Sequence, residues 1–351
     1  MSTWGALAPL VVVVGSGGVG KTTLAAALAL GSADHGVETL VMTFDPSLRL
    51  KDTLGVGEAA RDEEVAVAGA PHLWASLLDA RRTFDRLIGR YSPDAAARRR
   101  ILENRYYAHL AGGLAGILEY MAVERLFEVA QRARYGRVVL DTPPTRQALD
   151  FLEAPDRIVG FLNSGVLKLA LRPWFDDKGR LRPPAGLGPL RGGLERLLDE
   201  TVGLDLLREM NEFFRAFAPL YEGFEERARQ VRDLLRSPGT RFVLVAGPGQ
   251  EKVPDALFFA RKLEEAGYRL GPVIVNRVHP RAETPPADPV DPADGRALLA
   301  RLGELERRGL DSLDELLGPG RSPVEVPLLA TEPNDLTSLR ALAADLSTRL
   351  G

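Results

Sequence analysis

Short, wholly apolar runs alternate along the chain with longer stretches in which apolar residues recur every three or four positions. The runs at 10–14, 39–44, 137–141, 241–246, 272–276 and 323–328 predict strands. Most are β-branched and apolar throughout, the pattern of strands covered on both faces of a parallel sheet. Residues 72–78 are a weaker strand candidate. Helical patterns fill the intervals, so the pattern predicts an α/β fold: a doubly wound, mainly parallel sheet with an α-helical insertion.

The helical patterns also divide the chain. Residues 1–154 with 237–351 read as the sheet-bearing core, with a helical segment at 80–134, and 155–236 read as a helical insertion. Within 80–134, Gly112-Gly113 separates a last helix, about 115–134, that places Ile117, Met121, Leu126 and Val129 near one face. In the insertion, Leu162–Leu171 is an apolar helical stretch, and 172–193 is a loop rich in Pro, Gly and Arg. From Leu204 onward a wide stripe follows: Leu206, Met210, Phe213, Phe214, Phe217, Tyr221 and Phe224. Such a stripe is core packing, a subunit interface or a groove for an apolar client. Residues 277–293 read as a surface loop. Asp335–Leu350 forms an amphipathic helix whose polar face lacks the Lys/Arg excess of a membrane-surface helix, so docking onto the sheet is expected.

Composition narrows the function classes. The chain has 351 residues and a formal charge of −3, which does not supply the basic field that broad nucleic-acid binding needs. It has no cysteine, which removes disulfides and thiolate metal sites from consideration. His35, His72, His109 and His279 are widely scattered and read as structural. No apolar run is long enough to span a bilayer, and the N-terminus has no basic region followed by an apolar segment, so no membrane insertion and a cytoplasmic location are expected.

The chemistry starts at Gly15-Ser16-Gly17-Gly18-Val19-Gly20-Lys21-Thr22-Thr23. This stretch fits G-x-x-x-x-G-K-[ST] at every fixed position, and it lies between a predicted strand and an Ala/Leu-rich helix, the context a phosphate-binding loop requires. Glycines let the backbone curl so that successive N–H groups face phosphate oxygens, and the helix adds the positive end of its dipole. Lys21 is placed to reach the β- and γ-phosphates and the Thr22 hydroxyl to ligate Mg²⁺. The bland alternative is a glycine-rich turn without a ligand.

A hydrolase also needs a metal-holding acid and a group that positions water. Asp141 ends the run Val138-Val139-Leu140 and suits the first role. Asp45 ends the run from Leu40 and suits the second, as the carboxylate that orients or activates the attacking water. Either aspartate could instead serve as a helix cap or a solvated loop residue. Asn276 ends the run Pro272–Val275; its amide both donates and accepts, which is what an adenine edge requires, or it is a turn residue.

With these motifs in view, the chain resembles the ArsA-type ATPases, a family with bacterial anion-pump members and a eukaryotic branch that targets tail-anchored membrane proteins. The resemblance rests on Gly15–Thr23, on Asp45-Pro46-Ser47, on Asp141-Thr142-Pro143-Pro144-Thr145, and on Asn276-Arg277 and Val326-Pro327-Leu328. It implies that Asp45 lies in switch I and positions the hydrolytic water, that Asp141 opens switch II and serves Mg²⁺, and that Asn276 reads adenine. It further implies ATP and Mg²⁺ as cofactors, a nucleotide-dependent homodimer, and a helical region that binds a protein client with an apolar segment.

The departures from the family pattern are specific. The family's lysine at the second loop position, which reaches the partner's phosphates, is Ser16 here, so a dimer of this chain would need another cation in trans, and Arg49 and Arg146 are candidates. The switch I histidine is replaced by Leu48 and the switch II Gly-His by Arg146-Gln147. Without cysteine there is neither a thiol arsenite site nor the zinc-bound C-x-x-C pair that joins the targeting ATPase's dimer. The expected function is therefore a Mg-dependent ATP-hydrolysing switch. The alternatives are an ATP-binding interaction module with little hydrolysis, or a positioning ATPase resembling ParA or MinD.

Overall fold

The structure is a computed structural model and describes residues 7–44, 49–92, 94–103, 117–143, 145–162, 221–280, 294–318 and 322–350. The predicted loop at 172–193 and nearly all of the 204–224 stripe lie outside these residues. The described strands are β1 (Leu10–Gly15), β2 (Thr39–Thr43), β3 (Val65–Ala66), β4 (Leu73–Leu77), β5 (Arg137–Asp141), β6 (Thr240–Ala246), β7 (Leu270–Val278) and β8 (Val324–Pro327). The described helices are α1 (Lys21–Asp34), α2 (Arg49–Leu54), α3 (Ala80–Tyr91), α4 (Ala95–Leu102), α5 (Ile117–Gln131), α6 (Thr145–Leu162), α7 (Tyr221–Arg236), α8 (Val253–Glu265), α9 (Gly295–Leu317) and α10 (Leu336–Leu350).

Two compact units emerge. One comprises residues 1–79, 126–149 and 233–351 and holds the sheet; the other comprises 80–125 and 150–232. The sheet order is β3-β4-β2-β5-β1-β6-β7-β8, parallel except for the short β3, which pairs antiparallel with β4. From β1 the chain first builds toward β2 and β4, then returns to build β6, β7 and β8 on the other side. The reversal falls at β1, where a doubly wound sheet places its ligand crevice.

The physical basis of the sheet is continuous burial. All residues of β1, β2 and β5 are buried, which explains why these runs lack polar alternation. Helix α1 is apolar almost all round and nearly every residue from Leu24 to Ala33 is buried, as for a helix enclosed on all sides. Its Leu24, Leu28 and Leu30 are fully buried, each contributing about 1.5–3 kcal/mol of burial free energy. They share one core with Val11, Val13, Val41, Val139 and Val245 of the sheet. Helix α10 closes that core with Leu339, Leu342 and Leu346, as its amphipathic pattern predicts.

One buried charge fixes the start of the sheet. Arg137 of β5 donates to the Ser32 hydroxyl at 2.7 Å, the Leu7 carbonyl at 2.8 Å and the Ala8 carbonyl at 3.2 Å. Burial draws its guanidinium below the ordinary arginine pKa.

The helical unit holds a buried ion pair. Glu124 of α5 is paired with Arg227 of α7 and accepts a 3.2 Å hydrogen bond from the Tyr120 hydroxyl one turn earlier.

Candidate nucleotide site

Strand register brings the chemical residues to one edge. Val13 of β1 and Thr43 of β2 both stand opposite Asp141 of β5, so β2 and β5 end side by side, two residues before β1 ends at Gly15. Beyond Gly15 the chain makes the loop and enters α1 at Lys21.

The loop glycines are required by position. Gly15 has φ 150°, and a Cβ there would overlap the Val245 carbonyl oxygen of the neighbouring strand. Gly20 has φ 92°, and a Cβ there would overlap the Asn276 amide. Gly18 has φ 77° with open space around it, so its requirement is conformational rather than steric. Gly17 and Gly18 are exposed, Ser16 is half-buried, and Val19 is buried and anchors the loop.

No side chain caps the N-terminus of α1, and its first turn holds no acid. That terminus therefore carries no acid of its own in its first turn to oppose a bound anion. Lys21 is buried, and its Nζ donates to the Ser16 carbonyl at 2.9 Å, folded back across the loop.

Asp141 is fully buried, and one carboxylate oxygen accepts from two hydroxyls: Thr22 at 2.7 Å and Thr43 at 2.9 Å. Thr142 donates to the Val13 carbonyl at 2.8 Å and fixes the turn after β5. A Thr22 hydroxyl whose proton goes to a carboxylate keeps its lone pairs for a hard cation. Among the described residues no cluster of three acids, histidines or cysteines forms a metal cage. This donor set fits Mg²⁺, which takes few protein oxygens and draws the rest from phosphate and water.

Asn276 stands beside the loop and donates its amide to the Val19 carbonyl at 2.8 Å. A cleft beside it has polar side chains, among them Thr23, Asn276, Arg277 and Glu332, facing apolar ones that include Pro327 and Leu328. The fold thus brings Lys21, Thr22, Thr23, Asp141 and Asn276 together. Asp45 lies outside the described residues, and of Arg49 and Arg146 only the backbone is described. Thr43 is a participant the motifs do not announce. Its signal is a threonine ending a buried strand, two residues before Asp45.

Residues 8–175 match the family model of the anion-transporting ATPases. The chain is 29% identical over 341 residues to an uncharacterized protein of Streptomyces coelicolor, covering 90% of this chain and 78% of that one. It is 25% identical over 336 residues to the ATPase GET3A of Arabidopsis thaliana, covering 95% and 81%. It is 24% identical over 352 residues to an arsenical pump-driving ATPase of Acidiphilium multivorum, spanning 97% of this chain but 49% of that protein. With its loop, strand-end aspartate and parallel sheet, the chain belongs to the ArsA-type family of P-loop ATPases.

Proposed function

We propose that this protein is a Mg-dependent ATP-binding and hydrolysing switch. The observation that carries the reading is the Thr22–Asp141–Thr43 cluster beside an uncapped, lysine-bearing loop, the arrangement phosphoryl transfer needs. Lys21 would leave the Ser16 carbonyl for the phosphates, and Thr22 with Asp141 would hold Mg²⁺. The ion would neutralise charge developing on the phosphate oxygens. Asp45 would position the attacking water and Asn276 would meet the adenine, roles that rest on the family resemblance. Opening and closing of a homodimer would then act on a protein client with an apolar segment.

The test is steady-state ATP turnover with Mg²⁺. Hydrolysis is expected in the native protein and is lost in Asp45→Asn while ATP still binds. Absence of turnover at every protein concentration tried would sink the hydrolytic version. A second reading, an ATP-holding module with little hydrolysis, draws support from Ser16, whose neutral side chain cannot supply a charge across a dimer. A large rate gain in Ser16→Lys would mark a slowed switch, and no gain would detach the serine from the rate.

A further inference from the structure

Arg277 is a non-glycine residue with φ 65°, in the left-handed region that costs an L-residue about 1–2 kcal/mol. It sits next to Asn276 near the end of β7, where the register with β8 shifts between Asn276 and Val278. Strain of this kind persists where the surroundings enforce it, and it marks candidate functional positions. The contacts show what it achieves. Arg277 Nη1 donates to the Gly18 carbonyl at 3.2 Å, and its Nη2 pairs with Glu332. Asn276 takes the next carbonyl, that of Val19.

Two consecutive residues of β7 therefore hold two consecutive carbonyls of the phosphate loop, and Lys21 holds a third, that of Ser16. In a planar trans peptide the C=O and N–H point in opposite directions. Carbonyls drawn toward Arg277 and Asn276 turn the N–H groups of Val19 and Gly20 the other way, away from those two side chains. Glu332 belongs to the segment after β8 that walls the cleft beside Asn276, and Arg277 lines the same cleft. One side chain thus touches both the phosphate loop and the wall of the neighbouring cleft.

We infer that Arg277 is a positioning residue for the triphosphate: it orders the loop's N–H groups through the Gly18 carbonyl, with Glu332 holding its guanidinium in place. This inference rests on the ATP-binding reading above. It assigns Arg277 no contact with the nucleotide. Its effect must therefore appear for any ligand that fills the loop, with or without a base.

The experiment compares binding of Mg-ATP and of inorganic tripolyphosphate with Mg²⁺ to the native chain and to Arg277→Gly, Arg277→Lys and Glu332→Gln. Arg277→Gly removes the guanidinium and relieves the backbone strain, so its melting temperature is expected to equal or exceed the native value. Both ligands are expected to bind it about five- to tenfold more weakly, the worth of one charge-assisted hydrogen bond at a half-exposed site. Arg277→Lys, with one ammonium in place of the fork, is expected to restore part of the loss. Glu332→Gln is expected to weaken both ligands by about twofold, and the double variant with Arg277→Gly to lose nothing more than Arg277→Gly alone. A loss confined to ATP would overturn the inference, because Arg277 would then act on the base. Unchanged affinity for both ligands would overturn it too, leaving the ATP reading intact. If the native chain binds neither ligand, the ATP reading itself falls, and the inference with it.

Discussion

The Thr22 hydroxyl, at the first turn of α1, donates to the buried carboxylate of Asp141 at the end of β5 across 2.7 Å. The two residues lie 119 positions apart and meet because β1, which leads into the loop and α1, and β5 are parallel neighbours in the sheet. Any cation held by Thr22 therefore feels the charge of Asp141, and the charge carries more weight there than the shape.

Asp141→Asn separates the two. The amide oxygen still accepts from Thr22 and Thr43, so stability is expected to fall by no more than about 1–2 kcal/mol. The negative charge is gone, and Mg-dependent ATP affinity is expected to drop about 10- to 100-fold. Calorimetric titration with Mg²⁺ and with excess chelator checks this: the gap between the two conditions should close in the variant.

The loop glycines should not be equally replaceable. Gly15→Ala drives a methyl into the Val245 carbonyl of an interior strand, which cannot yield without moving backbone. A loss of about 3 kcal/mol or more is expected. Gly18→Ala meets open space and carries only the left-handed penalty, about 1 kcal/mol. Denaturant midpoints of the two variants should order accordingly, and equal midpoints would contradict the assigned geometry.

In the helical unit, the buried pair Glu124–Arg227 predicts an asymmetric cycle. Removing one partner strands the other charge away from water and is expected to cost about 3–5 kcal/mol. Replacing both, as Glu124→Leu with Arg227→Met, should recover most of that loss. Chemical denaturation of the two single variants and the double variant measures it, and additive losses would show that the pair does not act as a unit.

The first turn of α10 carries a pH signature. The Ser338 backbone amide, then the Ser338 hydroxyl, hold the Asp335 carboxyl below its ordinary value of 3.8. A depressed folded-state value contributes stability that is complete above the unfolded value and is lost as pH falls through the folded one. Amide exchange in the first turn of α10 should therefore be faster in Asp335→Ala than in the native chain near neutral pH. The difference should fade progressively below about pH 3.8. A difference that persists in strong acid would place the protection elsewhere.

Much of the fold is legible in the residues because burial writes itself into composition. Runs such as Leu10–Val14 and Val138–Leu140 are apolar on both sides, so the parallel sheet and its main strands can be read directly. Strand β3 cannot be, since two residues carry no period. The helix at Leu336–Leu350 can be read because its leucines recur on one face. The loop glycines and Lys21 can be read because their chemistry is local. The donors that other strands bring to the site cannot. Thr43, which meets the Asp141 carboxylate, and Asn276 and Arg277, which meet loop carbonyls, arrive through strand register across the sheet, and no local pattern encodes which acceptor a distant side chain will meet. Asp45 is legible as a motif and lies outside the described residues.

The place of β1 between β5 and β6 also has a consequence for how the protein is made. The phosphate loop leaves the ribosome before the strands that complete it: its carboxylate arrives with β5 and its braces only with β7. The Asn276–Val19 bond spans 257 positions. At about 5–20 residues per second, the loop waits on the order of ten seconds or longer for that partner. Until β6 follows, its strand lacks a neighbour on at least one side, and until β7 follows, its carbonyls have water in place of Asn276 and Arg277. The cradle is thus a late product of translation, and a chain cut short before β7 would carry the whole phosphate motif without the means to hold its shape.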